Sequence, residues 1–412
     1  MVVKHVTDQL LAAVDELAPE FIEFLGRSVQ AQSVTGYEEP VVKFYEQTLR
    51  SFGWSVDTQP LADSRLRKGE KRVGKRGNIV ACFSGRDTDL LVLNGHVDVV
   101  PPGDPADWVF SPFSGRVVDG RLYGRGSVDM KGGIASAVLA MRALEKSNVM
   151  PAHDVRLELV IGEETTGVGT RMVLENDPKV PKAVVVMEPS GCKIVPISTG
   201  LQFFSIAVSG RAAHTSAPWR GVDAFEKLLA VRAALMQLAE ERSAKYSHEL
   251  FADVPTGLPF AIGQVSAGDY PASIPAIATM SGRIGLAPGE DPHTVRTLII
   301  DALRSLQNDD PWFIDHPPLI TWGNDGLRGW ETATDSDLIR SFVRAHSSLD
   351  RTPELIGFTA GSDAAFYGGA GIPTVVFGPG DVTLAHSPNE YVDVSEVIAA
   401  AKVLAIVLAG AA

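Results

Sequence analysis

Five residues of metal-ligand type fall where glycine-rich turns follow apolar runs or lead into an expected helix. They are His96 in NGHVDVVP, Asp129 in GRGSVDMKGG, Glu164 in VIGEETTGVG, Glu188 in VVVMEPSG and His386 in VVFGPGDVTLAHSPNE. Imidazole nitrogen together with carboxylate oxygen suits Zn²⁺, and equally Mn²⁺ or Co²⁺. Taken singly, each residue is more often structural than functional, and a Glu-Glu pair is usually a solvated surface. Taken together, they include acids in an apolar setting, so their charge requires a counter-charge. Two divalent cations against Asp129, Glu164 and Glu188, with one hydroxide, make a neutral site; a single cation leaves negative charge buried. A carboxylate shared by two ions roughly 3.5–4 Å apart is the usual hydrolytic arrangement. Glu163, beside Glu164, then stands where a general base can take a proton from the attacking water and pass it to a leaving amine. Asp98, two residues after His96, faces the same way in an extended segment. It can accept the imidazole's second N–H and so orient the ring. The chemistry expected of this set is metal-assisted cleavage of an amide.

The elements that must position these residues are legible as periodicities. Apolar runs at 89–94, 155–161, 183–187 and 373–377 read as strands buried on both faces, and 133–147 as a helix between the first two. Strands alternating with helices indicate an α/β sheet, and in such sheets sites form at the carboxyl ends of strands. Four strand ends therefore aim His96, Glu163 with Glu164, Glu188 and His386 at one crevice, and Asp129 can face it from the helix entrance. From about 199 the pattern changes. Strands at 203–208, 260–267, 278–286 and 318–322 and helices at 223–242 and 291–307 give β-α-β-β-α-β, the ferredoxin-like order. The expected organisation is a catalytic domain from 1–198 and 323–412, interrupted by an inserted domain at 199–322. An amphipathic helix opens the chain, and residues 38–52 read as another, with Thr35 and Glu38 as a capping box. Seven basic residues between 59 and 78 (Arg65, Arg67, Lys68, Lys71, Arg72, Lys75, Arg76) read as a solvated surface insertion rather than an anion-binding loop.

Composition sets the limits. The 412 residues carry 45% hydrophobic and 21% charged side chains and a formal charge of −13. That is an ordinary globular balance, large enough for a sizeable core. The acidic total argues against a nucleic acid or an anionic membrane as partner. Two cysteines, Cys82 and Cys192, form no CxxC and no disulfide framework, which fits a reduced cytoplasm. The first residues lack the basic-then-apolar pattern of a signal peptide, and no apolar stretch reaches the ~20 residues of a membrane span.

The motifs GHVDVVP, GRLYGRGSVDMKGG, GEETTGVG, MEPS and LAHSPNEYV follow one another between about 90 and 393. They resemble those of the two-zinc family of acetylornithine deacetylases, succinyl-diaminopimelate desuccinylases, aminoacylases and carboxypeptidase G. The resemblance implies a mixed-sheet, zinc-peptidase-like catalytic domain with a lid and dimerisation domain inserted. It implies His96, Asp129 and Glu188 on one zinc, and Asp129, Glu164 and His386 on the other. Glu163 is implied as the catalytic acid/base, Asp98 as the residue behind His96, and a cis peptide after Asp129. Within the insert, GRAAHTSAPWRGVDA (210–224) is similar to the family's lid motif. There a histidine from one subunit reaches its partner's active site and steadies the oxyanion. That makes His214 the candidate and a homodimer the working form. Arg283, in SGRIGLAPGED, resembles a lid arginine that clamps a substrate carboxylate, or else pairs locally. The chain departs from the family at YPASIPA, where Ala272 stands in place of a frequent asparagine. In GFTAGSD (357–363), Gly361 and Ser362 are candidate donors to a substrate carboxylate, or else a tight turn packed on the sheet. The implied substrate is an N-acyl amino acid or a similar small amide; a dipeptide or a non-peptide amine is the alternative.

Overall fold

In the computed structural model, which describes residues 2–62, 65, 74–177, 179–323 and 325–411, the apolar runs become adjacent strands of one sheet. Asp87–His96 lies between His153–Val160 and Ala183–Val186, parallel to both, and Thr374–Val376 runs parallel to Ala183–Val186 on its other side. Gly77–Phe83 and then Val56–Pro60 extend the sheet antiparallel beyond His153–Val160, so the sheet is mixed. The central strands are buried without alternation, from Leu90 to His96 and from Val155 to Val160. Leu90–Leu93 is apolar on both faces, each needing cover, whereas His153–Val160 buries Val155, Leu157 and Leu159 on one face and the Arg156–Glu158 ion pair on the other. The helix Gly132–Lys146 is buried continuously from Gly132 to Met141 and packs with the helices Val2–Gln30 and Val394–Ala409. A helix apolar all round belongs in an interior.

The chain divides into two compact units. One comprises Met1–Pro196, Thr332–Ile356 and Ser362–Ala412; the other comprises Ile197–Glu331 and Gly357–Gly361. In the second unit Gly200–Ser209, Ala224–Lys245, Phe260–Ala267, Ile277–Leu286, Pro292–Ser305 and Leu319–Trp322 follow in the order β-α-β-β-α-β. The four strands form one antiparallel sheet with Ile277–Leu286 and Gly200–Ser209 at its centre. Alternate residues Phe204, Ile206 and Val208 meet Leu228, Val231, Val295 and Ile299 in its core. Each helix starts at an aspartate. Asp223 accepts from the Phe225 N–H and Asp291 from the His293 N–H, each satisfying a donor the first helical turn leaves open.

Two local expectations give way to longer-range bonds. The helix Glu39–Ser51 starts without a side-chain cap. Glu38 instead makes a buried ion pair with Arg76, and the Thr35 hydroxyl donates to Asp98 at 2.8 Å. A buried carboxylate gains more from a guanidinium than from one backbone N–H. In the basic stretch, Arg67, Lys68, Lys71 and Arg72 lie outside the described residues, while Arg65 pairs with Glu175. Among the described residues, no helix is long and apolar enough to cross a membrane.

Candidate metal centre

His96 ends its strand with Nε2 3.0 Å from Asp129 Oδ1 and 3.8 Å from Glu188 Oε1. The other oxygen of the same aspartate, Oδ2, lies 3.3 Å from His386 Nε2, which is 3.1 Å from Glu164 Oε2. Two ligand groups result, His96–Asp129–Glu188 and Asp129–Glu164–His386, the donor atoms of each within 4.8 Å of one another. Donors placed around a tetrahedral Zn²⁺ are spaced roughly 3.3–3.6 Å apart, so both sets fit a divalent cation. Asp129 belongs to both and turns one oxygen toward each histidine, as a bridging carboxylate does.

The local chain explains why these side chains meet. Asp129 sits in an irregular turn just before the helix Gly132–Lys146, and its peptide bond to Met130 is cis. Gly133 lets that helix press on the strand end that carries Glu188: a Cβ there would stand 2.0 Å from the Met187 carbonyl oxygen. His386 holds a left-handed φ of 61°, uncommon for any residue but glycine.

Charge is balanced within the cluster. Burial opposes the charged form of His96, but the Asp129 hydrogen bond and the charges of Glu188 and Asp129 outweigh it and hold the imidazole well above its usual range. Hydrogen bonds donated to the Asp129 and Glu164 carboxylates push His386 up to about 10. Asp129 is held down: desolvation alone would raise it, and the two histidines reverse that. Desolvation, reinforced by neighbouring carboxylates, pushes Glu163 and Glu188 well above the ordinary carboxylate range. The acids thus favour the charged form of each histidine, a role a cation can take over when protons leave.

Asp98 meets His96 differently from the sequence expectation. The ring's Nδ1 lies 2.9 Å from the Asp98 carbonyl oxygen and 3.8 Å from its carboxylate. The carboxylate is engaged elsewhere, accepting from Thr35 Oγ1 at 2.8 Å and from the Glu163 N–H at 3.1 Å. Asp98 therefore orients the imidazole through its backbone and ties down the Glu163 loop through its side chain.

His214, Arg283 and Gly361 belong to the second compact unit, and Ser362 to the first. The His214 Nδ1 accepts from the Ser216 N–H at 3.1 Å and from its hydroxyl at 2.7 Å. Arg283 donates to the Thr359 carbonyl at 2.9 Å, while its Nε has no partner among the described residues; burial lowers its pKa. A Cβ on Gly361 would meet Leu201 and Leu327 at 2.8 and 3.0 Å, so close packing alone accounts for that glycine. Ser362 is buried, and its hydroxyl has no partner among the described residues.

Three further residues escaped the sequence reading. Asp363, next to Ser362, is a buried carboxylate accepting from the Thr170 hydroxyl at 2.6 Å. Glu390 and Arg125 form a buried ion pair behind Asp129. Their sequence signal was position: Glu390 closes the motif that holds His386, and Arg125 lies four residues before Asp129.

Comparison with known proteins gives a consistent picture. The pattern described as Peptidase family M20/M25/M40 matches residues 92–409. The chain is 28% identical over 381 residues to the acetylornithine deacetylase of Vibrio cholerae serotype O1, covering 90% of this chain and 93% of that protein. It is 27% identical over 351 residues to the N-formyl-4-amino-5-aminomethyl-2-methylpyrimidine deformylase of Halalkalibacterium halodurans, with coverage of 79% and 81%. Among solved structures, the di-peptidase Dug1p of Saccharomyces cerevisiae shares the fold with a TM-score of 0.80 at 16% identity, over 99% of each chain.

Proposed function

As a chain that belongs to peptidase family M20/M25/M40, this protein is a metallohydrolase acting on carbon–nitrogen bonds, and we propose that it cleaves the amide of an N-acyl amino acid or a similar small amide at a two-cation site. The observation that carries the proposal is Asp129, one carboxylate shared by two His–carboxylate groups. His96, Asp129 and Glu188 would hold one cation, and Asp129, Glu164 and His386 the other; we take both as Zn²⁺, with Mn²⁺ or Co²⁺ also suited to these donors. When bound, the pair supplies Lewis acidity toward the amide carbonyl and toward water.

The remaining steps fall to the chain's own residues. Glu163 takes the proton of the attacking water and delivers it to the leaving nitrogen. The Ser216 N–H fixes the acceptor on His214 Nδ1, which leaves the proton on Nε2, available to an oxyanion. Arg283, with donors left over from its bond to Thr359, is assigned to a substrate carboxylate, and Gly361 and Ser362 are proposed as backbone and hydroxyl donors. We further propose a homodimer formed through the second unit, with His214 serving the partner's site. Two features support it: Trp219, five residues after His214, is 78% exposed, and Phe260–Ala267 is an exposed edge strand. The free Cys82 and Cys192 fit a cytoplasmic setting.

Ala272 contributes no side-chain polar group to the lid loop, accepting from the Thr215 N–H through its carbonyl instead. A dipeptidase or carboxypeptidase, or an aminohydrolase of a non-peptide amine, is therefore the second reading. The test is turnover of acetylornithine, succinyl-diaminopimelate, N-acetyl amino acids, dipeptides and arylamines with Zn²⁺, Co²⁺ or Mn²⁺. We expect one N-acyl amino acid class to dominate, and Glu163→Gln to lose about 10²–10⁴-fold in kcat with its metal retained. Turnover of no amide under any metal overturns the proposal.

A further inference from the structure

The two ligand groups are not fixed in the same way. His96 and Glu188 are buried at the ends of buried strands, so the sheet itself sets their separation. Asp129, shared by both groups, sits in an irregular turn, and the second group depends in addition on the loop holding His386, whose imidazole is about half exposed.

One buried ion pair ties those segments together. Arg125 Nη1 donates to Glu390 Oε2 at 2.5 Å, and both side chains are almost wholly buried. The other Glu390 oxygen, Oε1, accepts from the Val128 N–H at 3.1 Å and the Asp129 N–H at 3.3 Å. Arg125 Nη1 also donates to the Ser387 carbonyl at 3.2 Å, next to His386. The backbone repeats the tie, since the Gly124 N–H donates to the Glu390 carbonyl at 2.9 Å. The guanidinium lies over the Trp108 ring, 5.2 Å from its centroid, which limits its freedom to swing away. Each partner thus holds the other's segment by the backbone: Glu390 grips the Asp129 turn, and Arg125 grips the His386 loop. The pair is short in sequence terms on both sides, four residues from Asp129 and four from His386.

Resting on the two-cation reading, we propose that the Arg125–Glu390 pair is a clasp that sets the distance between Asp129 and His386. It thereby governs retention of the second cation more than the first, which keeps His96 and Glu188 on the sheet even when the shared Asp129 shifts. Arg125 and Glu390 are positioning residues that touch neither cation nor substrate. A pair that merely stabilised the fold would weaken both sites equally when broken; a clasp weakens the second far more than the first.

The experiment is titration of the metal-free protein with Co²⁺, followed by calorimetry and by the visible absorption of bound Co²⁺, for wild type, Glu390→Gln and Arg125→Lys. Wild type is expected to take two equivalents. In Glu390→Gln the first equivalent should bind within about threefold of wild type, and the second about 10–100-fold more weakly, the usual effect of removing a ligand-orienting partner. Arg125→Lys keeps the charge but loses the planar head that lies over Trp108 and places Nη1 between Glu390 and Ser387, so it should show the same split to a smaller degree. Glu390→Asp keeps the charge with a shorter reach and replaces Glu390→Gln if that variant does not fold. Equal weakening of both equivalents, or an unchanged second equivalent in a folded variant, overturns the clasp while leaving the two-cation site standing. A wild type that takes up fewer than two equivalents overturns the two-cation reading itself, and the clasp with it.

Discussion

Asp363 is a carboxylate that the fold keeps from water with a single hydrogen bond in return, from Thr170 Oγ1 at 2.6 Å. Burial raises its pKa from an ordinary 3.8 to about 6, against the opposing pull of that hydroxyl. The sign of the consequence follows from which state holds the proton. Between pH 4 and 6 the folded protein keeps a proton that the unfolded chain has released, so stability falls as pH rises through that window. The loss is complete above about 6 and amounts to about 3 kcal/mol at most, at 1.36 kcal/mol per pKa unit. Asp363→Asn stays neutral throughout and still offers an oxygen to Thr170. Its metal-free form should unfold at the same temperature as wild type near pH 4 and at a higher one above pH 6. Parallel pH profiles for the two proteins would show that Asp363 ionises in the fold without penalty. Nothing in GSDAAF marks this residue beforehand: an aspartate after a Gly-Ser pair reads as a turn, and its burial is a fact about Thr170, nearly two hundred residues earlier.

The motif DMKGG makes physical sense as an element rather than as a string. The helix Gly132–Lys146 starts where it nearly touches the strand end bearing Glu188. Gly133 leaves no room for a methyl group, since its Cβ would meet backbone, the Met187 carbonyl, at 2.0 Å. Alanine would otherwise favour the helix by about 1 kcal/mol, so any loss measures the clash. Gly133→Ala should destabilise the protein by about 1–3 kcal/mol or more in denaturant unfolding. It should also lower metal content, because Asp129 and Glu188 flank the contact. Wild-type stability and full metal content would mean that the helix can shift freely, and would refute the close-contact argument. The strands themselves were readable in the sequence, because runs apolar on both faces leave few alternatives to a covered sheet. Ligand types at their ends were readable for the same reason: a charged residue closing a buried run has to be explained. Thr35, Glu38 and Asp98 were misread at the level of atoms, since each reads locally as a cap or an imidazole acceptor. Their actual partners, Asp98, Arg76 and the Glu163 N–H, are brought together only by tertiary structure.

The chain has two compact units, one holding every proposed metal ligand and the other holding His214, the group proposed to steady the oxyanion. The proposed homodimer makes that group the partner's. This arrangement can be separated from a histidine acting within its own chain by complementation, because the two cases differ in which defects can be combined. Glu163→Gln and His214→Ala are each expected to be nearly inactive alone. Denatured together and refolded as an equal mixture, half of the dimers should be mixed. In a mixed dimer, the site of the His214→Ala chain has its own Glu163 and receives His214 from the other chain, so one of its two sites is whole. The other site lacks Glu163 and stays silent. The mixture should therefore regain about a quarter of wild-type activity if both chains refold and pair at random. If each histidine serves its own chain, no combination yields a whole site and the mixture stays at the level of the separate variants. Wild-type activity for His214→Ala alone would remove the histidine from the mechanism altogether. Activity regained at a quarter, proportional to the mixed dimer resolved by native mass spectrometry, would establish that a subunit on its own is catalytically incomplete.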